Sequence, residues 1–166
     1  STMTAGNVIG GGDFAPNRII PDCIRSVLKK QKIIVRNPYS IRPYQHVLEP
    51  IMSYLLVAKR QYENFNIAGC YNIGPDDKDC ITTGELVDIF CNKWADGASW
   101  LHQSEINAPH EANFLRLDSS KIKKVLDWKP KWNVNTAIEK TVEWTKEWKE
   151  NNNISDIMDK QIRQYI

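Results

Sequence analysis

An apolar pair followed by consecutive glycines, close to the start of the sequence, limits the fold more than any other stretch. Val8 and Ile9 indicate the end of a buried strand, and the glycines at 10–12 indicate a tight turn directly after it. A turn without side chains lets a ligand lie against the backbone. Asn7, just before it, carries an amide that suits a sugar hydroxyl or a phosphate oxygen. By itself, the stretch fits a ligand-binding turn and a plain strand end equally well.

Strand-like and helix-like segments alternate along the rest of the chain. Amphipathic spacing predicts helices over residues 18–30 and 49–62, and apolar runs predict strands at 33–35 and 70–73. Thr82 and Glu85 form a capping box that opens a further helix. This alternation predicts an α/β layered fold. Because the strands are few and short, we expect a partial sheet. Its helices are expected to pack against a part of the protein that this chain lacks.

The composition is that of a soluble globular domain and excludes several partners. The chain has 166 residues, of which 42% are apolar, and a net charge of +2. We expect no nucleic-acid partner, because no basic block is long enough, and no membrane partner, because no apolar run could span a bilayer. The four cysteines lack zinc-ligand spacing, so we expect no metal site. Read as buried thiols in a reducing compartment, they predict a cytoplasmic location.

Seven motifs in one order carry a resemblance to a known family. No single motif is decisive; the resemblance depends on the order of all seven. The motifs are Gly6-Asn-Val-Ile-Gly-Gly-Gly-Asp13, Arg18-Ile-Ile-Pro-Asp22, Arg36-Asn-Pro-Tyr-Ser-Ile-Arg-Pro-Tyr-Gln-His-Val47, Tyr71-Asn-Ile-Gly-Pro75, Pro109-His-Glu-Ala112, Leu117-Asp-Ser-Ser-Lys121 and Leu126-Asp-Trp-Lys-Pro-Lys-Trp132. Over roughly residues 5–148 the set resembles the C-terminal half of the extended short-chain dehydrogenase/reductases that act on nucleotide sugars. Within that family it looks most like the CDP-glucose 4,6-dehydratases.

The resemblance implies an enzyme in two parts. A larger Rossmann domain binds NAD, and a smaller C-terminal lobe closes over the nucleotide sugar. Enzymes of this kind oxidise the sugar at C4, eliminate water across C5 and C6 and return the hydride to C6, so that CDP-glucose becomes CDP-4-keto-6-deoxyglucose. The implied parent enzyme is a homo-oligomer.

The family's cofactor and catalytic motifs are missing from this sequence. It has no G-x-x-G-x-x-G turn, and Tyr39, Tyr62 and Tyr71 are followed four positions later by Pro, Asn and Pro instead of the expected Lys. We therefore expect a C-terminal fragment that is inactive alone and has no catalytic residue of its own. Residues 1–150 are expected to form the nucleotide-sugar-binding part: 1–10 as the last strand of the Rossmann sheet, then a small mixed α/β lobe. Residues 151–166 are expected to form a loose polar tail that could end in a short helix.

Matching the motifs residue by residue gives the candidate site. The planar guanidinium fork suits phosphate oxygens, so Arg18 and Arg42 are expected to grip the diphosphate. Most candidates have a simpler alternative: a salt bridge for Arg18, a solvated loop position for Arg42 and strand burial for the apolar residues. For Asn72 the alternative is a bond to local backbone, and for His110 a structural bond to a carboxylate or a backbone group. The candidate substrate residues are Asn7, Arg18, Ile33, Val35, Arg36, Arg42, Asn72 and His110, and Val8 is the candidate NAD contact.

Two further functions stay open at this point. The parent enzyme could be a dehydratase or epimerase of the same family that uses another nucleotide sugar. The chain could also be a non-catalytic nucleotide-binding or scaffold domain, which would need a closed core of its own.

Overall fold

A computed structural model describes residues 1–103 and 114–166. Helices and short strands alternate through most of this length, as the sequence predicts. The strands are β1 (Thr2–Ala5), β2 (Asn7–Ile9), β3 (Ile33–Val35), β4 (Ile41–His46), β5 (Cys70–Ile73), β6 (Cys80–Thr82) and β7 (Trp100–His102), and the helices are α1 (Ile19–Leu28), α2 (Leu48–Glu63), α3 (Thr83–Trp94), α4 (Ser120–Leu126), α5 (Val134–Lys149) and α6 (Ile154–Tyr165).

The first ten residues form two strands, so the prediction of a single strand was wrong. β1 pairs in parallel with β5, whereas β2 pairs in parallel with β4. The chain changes sheet at Gly6, whose N–H donates to the Ile73 carbonyl at 3.1 Å. A Cβ at Gly6 would lie only 2.8 Å from the Pro43 carbonyl oxygen, so this crossing needs glycine.

Two further pairings complete the sheets of the described residues. β3 pairs in parallel with β7, and β6 runs antiparallel to β4. The partial sheet expected from the few short strands is therefore split into small pieces, with strand orders β1-β5, β2-β4-β6 and β3-β7.

The described residues pack into two hydrophobic clusters. The larger lies between α1, α3, α5 and the strands β2, β3 and β4, and the smaller joins α2, α4 and β5. The predicted capping box starts α3: the Thr82 hydroxyl accepts from the Glu85 N–H, and the Glu85 carboxylate accepts from the Thr82 N–H. The buried face expected for this helix is also confirmed by Leu86, Val87, Phe90 and Trp94.

The C-terminal segment is not loose, although its polar composition predicted a loose tail. After Asn153 caps it, α6 packs against α5 and buries Ile157, Gln161 and Tyr165. The Gln161 amide donates to the Lys140 carbonyl at 2.9 Å. These three residues are spaced four apart, so one narrow stripe is enough to anchor a helix that is otherwise polar. The division into residues 1–150 and 151–166 stays a prediction.

Two features are absent from the described residues. In the described ranges, no helix combines the length and the apolar character that a bilayer span needs. The same residues bring together no group of three His, Cys, Asp or Glu side chains that could hold a metal ion.

Candidate functional site

A polar cavity of about 260 Å³ opens where the glycine turn, the start of α1 and the ends of β3 and β4 meet. β2 and β3 bring their carboxyl ends to it, and β4 contributes Arg42 and Tyr44 from its amino-terminal half. The residues on its wall include Asn7, Val8, Asp13, Arg18, Asp22, Ile34, Val35, Arg36, Ser40, Arg42, Tyr44 and Thr83.

Three arginines give the cavity an excess of positive charge. Arg18, Arg36 and Arg42 line it together with the carboxylates of Asp13 and Asp22. Arg18 lies 3.0 Å from Asp13 between Nη1 and Oδ2, and half of its side chain is exposed. Arg42 donates from Nη1 to the Ile41 carbonyl at 3.0 Å. A concave wall with several guanidinium groups is suited to a ligand that carries more than one negative charge.

Hydroxyl groups form the inner wall of the cavity. The Tyr44 hydroxyl lies 3.3 Å from Thr83 Oγ1, and Ser40 Oγ lies 2.8 Å from the same atom. Ser40, Tyr44 and Thr83 are all buried. Tyr44 sits opposite Asn7 in the β2–β4 register, so an amide and a phenol share one face of the sheet. This wall can donate and accept hydrogen bonds, as sugar hydroxyls require.

Six of the predicted site residues line this cavity. The six are Asn7, Val8, Arg18, Val35, Arg36 and Arg42.

Of the other three predicted residues, Ile33 and Asn72 do not line this cavity. Ile33 is fully buried in the larger core cluster and does not line the cavity, to which β3 contributes Ile34 and Val35. Asn72 lies in β5, where its amide donates to the Asp118 carbonyl at 3.3 Å. His110 lies outside the described residues. Substrate roles for these three residues stay predictions.

Several residues of the cavity were not singled out from the sequence. Tyr44 lies two positions from Arg42 on β4, so strand alternation would have placed both on one face. Asp13 ends the first motif, which assigns it no role of its own. Ser40 and Thr83 carry no local signal, because only tertiary packing joins their hydroxyls across 43 positions of sequence.

A buried polar cluster joins the start of α2 to the turn before α5 and to the end of α6. Glu49 is fully buried; its Oε1 accepts from the backbone N–H groups of Lys131 and Trp132, and its Oε2 accepts from the Tyr165 hydroxyl at 2.7 Å. Burial raises the pKa of Glu49, against the effect of these hydrogen bonds. Burial and then the bond to Glu49 raise the pKa of Tyr165.

His46 occupies the same cluster. Its Nδ1 accepts from the Leu48 N–H at 3.3 Å, and its ring lies 4.8 Å from that of Trp132. Burial and then the positive charge of Lys140 lower the pKa of His46 to about 4. His46 therefore stays neutral at physiological pH and supports the β4 wall as a structural residue.

Comparison with known proteins identifies a relative in sequence. No family model matches the chain. It is 48% identical over 139 residues to CDP-glucose 4,6-dehydratase from Salmonella typhimurium, a match that covers 83% of this chain and 38% of the relative. The chain thus spans well under half the length of that enzyme, and it matches its C-terminal part.

Solved structures with the same fold are nucleotide-sugar epimerases and dehydratases. A UDP-glucuronic acid 4-epimerase from Bacillus cereus, in complex with UDP-glucuronic acid and NAD, matches with a TM-score of 0.73 at 16% identity over 88% of this chain and 45% of its own. A dTDP-glucose 4,6-dehydratase from Bacillus anthracis, in complex with NAD, matches with a TM-score of 0.73 at 19% identity over 89% of this chain and 44% of its own. The predicted α/β fold class is confirmed by these matches.

Three observations point to the same group of proteins: the ordered motifs, the relative of 48% identity and the shared fold. The chain is similar in sequence to a C-terminal part of CDP-glucose 4,6-dehydratase and shares the fold of nucleotide-sugar epimerases and dehydratases.

Proposed function

We propose that this chain is the nucleotide-sugar-binding part of an NAD-dependent CDP-glucose 4,6-dehydratase, which converts CDP-glucose to CDP-4-keto-6-deoxyglucose. The observation that carries the proposal is the convergence of Arg18, Arg36 and Arg42 with Asn7 on one cavity. The 48% identity to the Salmonella enzyme supports CDP-glucose as the substrate.

Different residues of the cavity bind different parts of the substrate. The arginines bind the diphosphate, because guanidinium donors can meet several phosphate oxygens at once. Ile34 and Val35 offer an apolar surface for the base. Asn7 and Tyr44, opposite each other on β2 and β4, hydrogen-bond the sugar. Binding at these points orients the sugar for the reaction at C4, C5 and C6.

NAD fits the same edge of the cavity. Val8 is half-buried on the wall between Asn7 and the glycine turn, so it can pack against the nicotinamide end. The rest of the cofactor would bind to the part of the enzyme that carries the glycine motif. When bound, NAD would accept the hydride from C4 of the sugar and give it back to C6.

A titration tests the proposal directly. Calorimetry of the chain with CDP, UDP, dTDP and GDP should give the highest affinity for CDP, and Arg42→Gln should weaken CDP binding about tenfold through loss of charge-assisted hydrogen bonds. Arg60→Gln is the matched control, because Arg60 pairs with Glu63 on α2 and is not on the cavity wall. Equal affinities for the four nucleotides would exclude the CDP assignment, and no binding to any of them would exclude the nucleotide site.

An exposed apolar surface favours a part of a larger enzyme over a domain that stands alone. β1 has no strand partner on its second edge among the described residues. Beside it, α2 and the turn after it line a cavity of about 930 Å³. A monomer rarely leaves such a surface open to water. The exposed large side chains here are Ile51, Tyr54, Leu55, Tyr62 and Phe65.

We therefore expect the isolated chain to self-associate through this face of α2. Sedimentation velocity at increasing concentration should show dimers or larger species, and Leu55→Glu should reduce them, because a charge on the face opposes its burial. Met158→Glu is the matched control on α6, where the side chain is exposed to a similar degree. A chain that stays monomeric throughout would support the alternative of an autonomous nucleotide-binding domain.

A further inference from the structure

An ion pair on the cavity wall joins an acidic residue to one of the phosphate-binding arginines. Asp13 Oδ2 lies 3.0 Å from Arg18 Nη1, and both side chains face the same cavity. A carboxylate at this place should weaken the binding of a diphosphate, because like charges repel. Its presence beside Arg18 on this wall therefore needs a reason.

The backbone around Asp13 is fixed from several sides. The second carboxylate oxygen, Oδ1, accepts from the Ala15 N–H at 3.0 Å. Arg25 on α1 donates to the carbonyls of Phe14 and Ala15 at 3.0 and 3.2 Å. The ring of Phe14 lies 4.9 Å from that of Trp148 on α5. The Asp13 carboxylate is thus held at a defined position relative to both helices.

Arg18 has no comparable local support. It occupies the residue before α1 with an extended backbone, its side chain makes no cap bond to the helix, and half of that side chain is exposed. A long side chain in this setting samples many rotamers, and ordering them on ligand binding costs affinity. One bond to Asp13 restricts the guanidinium and leaves most of its five N–H donors for a ligand.

We propose that Asp13 is a positioning residue that holds the Arg18 guanidinium ready for the diphosphate of the nucleotide sugar. This rests on the proposed function, since the cavity must bind such a diphosphate. The gain from a preordered arginine exceeds the repulsion by the carboxylate, because Arg18 neutralises the charge of Asp13 before the ligand arrives.

A double-mutant cycle with CDP as the probe measures the coupling. In Asp13→Asn the side-chain oxygen can still accept from Ala15, but its amide group then faces Arg18 and cannot hold it. We expect calorimetry to show about three- to tenfold weaker CDP binding for Asp13→Asn and about tenfold weaker binding for Arg18→Gln. In the Arg18→Gln background, Asp13→Asn should no longer weaken binding, because there is no guanidinium left to position.

Glu63→Gln supplies the matched change of charge. Glu63 pairs with Arg60 on α2 and does not line the cavity. Its replacement removes a negative charge without touching Arg18 or the cavity wall, so CDP affinity should stay the same at constant ionic strength. In NMR spectra of the free chain, the Arg18 guanidinium signals should be resolved in the wild type and averaged by rotation in Asp13→Asn.

The outcomes separate this role from the proposed function. Wild-type chain that binds no CDP would overturn both. CDP binding that is unchanged or tighter in Asp13→Asn would overturn the role of Asp13 alone, as would an equal loss of affinity in the Arg18→Gln background.

Discussion

Replacing Gly11 with alanine is expected to destabilise the fold by about 3 kcal/mol, at the upper end of the cost of overpacking. An added Cβ would lie 2.1 Å from Cδ2 and 2.2 Å from Cγ of Trp144, inside the indole ring. Trp144 cannot give way easily, because it is nearly buried and its ring stacks against that of Trp148. The turn and α5 must therefore separate, which would open the larger core cluster at its edge.

Gly12 and Gly97 provide the controls. Gly12 and Gly97 both have positive φ, but a Cβ at Gly12 would meet Trp144 only at 3.6 Å and a Cβ at Gly97 would meet nothing within 4 Å. Alanine at either position should cost about 1 kcal/mol of backbone strain. Urea unfolding followed by circular dichroism measures all three variants. Similar losses for Gly11→Ala and Gly97→Ala would show that Trp144 does not constrain the turn.

The sequence was sufficient where local chemistry decides the structure. The strands at 33–35 and 70–73 and the capping box of Thr82 and Glu85 lie where the sequence predicts them. β-branched runs and reciprocal cap bonds act within a few residues, so no distant partner is needed. The guanidinium groups of Arg18 and Arg42 could be assigned to one site because their motifs matched those of a family.

The features that sequence reasoning missed depend on distant partners. The break at Gly6 is set by Pro43 and by the Ile73 carbonyl, which belong to two different strands. The order in α6 depends on Tyr165, whose hydroxyl reaches a carboxylate 116 positions away at Glu49. Asp13 and Arg18 are close in sequence, yet their ion pair forms only because the turn and the start of α1 bring both side chains to the cavity wall.

Lowering the pH from 6.5 to 4 is expected to remove stability on the order of 3 kcal/mol through His46 alone. The imidazole is 2% exposed, and burial with the nearby charge of Lys140 lowers its pKa from 6.5 to about 4. Between these values the unfolded chain binds a proton that the folded chain does not, so the free energy of unfolding falls as the pH falls. His46 Nδ1 already accepts from Leu48, and the ring lies against Trp132, so the folded protein has no good place for the added charge.

His46→Asn isolates this contribution, because its side-chain oxygen can still accept from the Leu48 N–H while the side chain no longer titrates. Urea midpoints of the wild type and the variant should converge as the pH falls from 6.5 to 4, since only the wild type loses the stability that His46 supplies. Glu49 acts with the opposite sign: its raised pKa favours the folded state at low pH, and that stability is lost as the pH rises. Glu49 is present in both proteins, so it cancels in the difference. Parallel curves over this range would mean that His46 is protonated as easily in the folded chain as in the unfolded one.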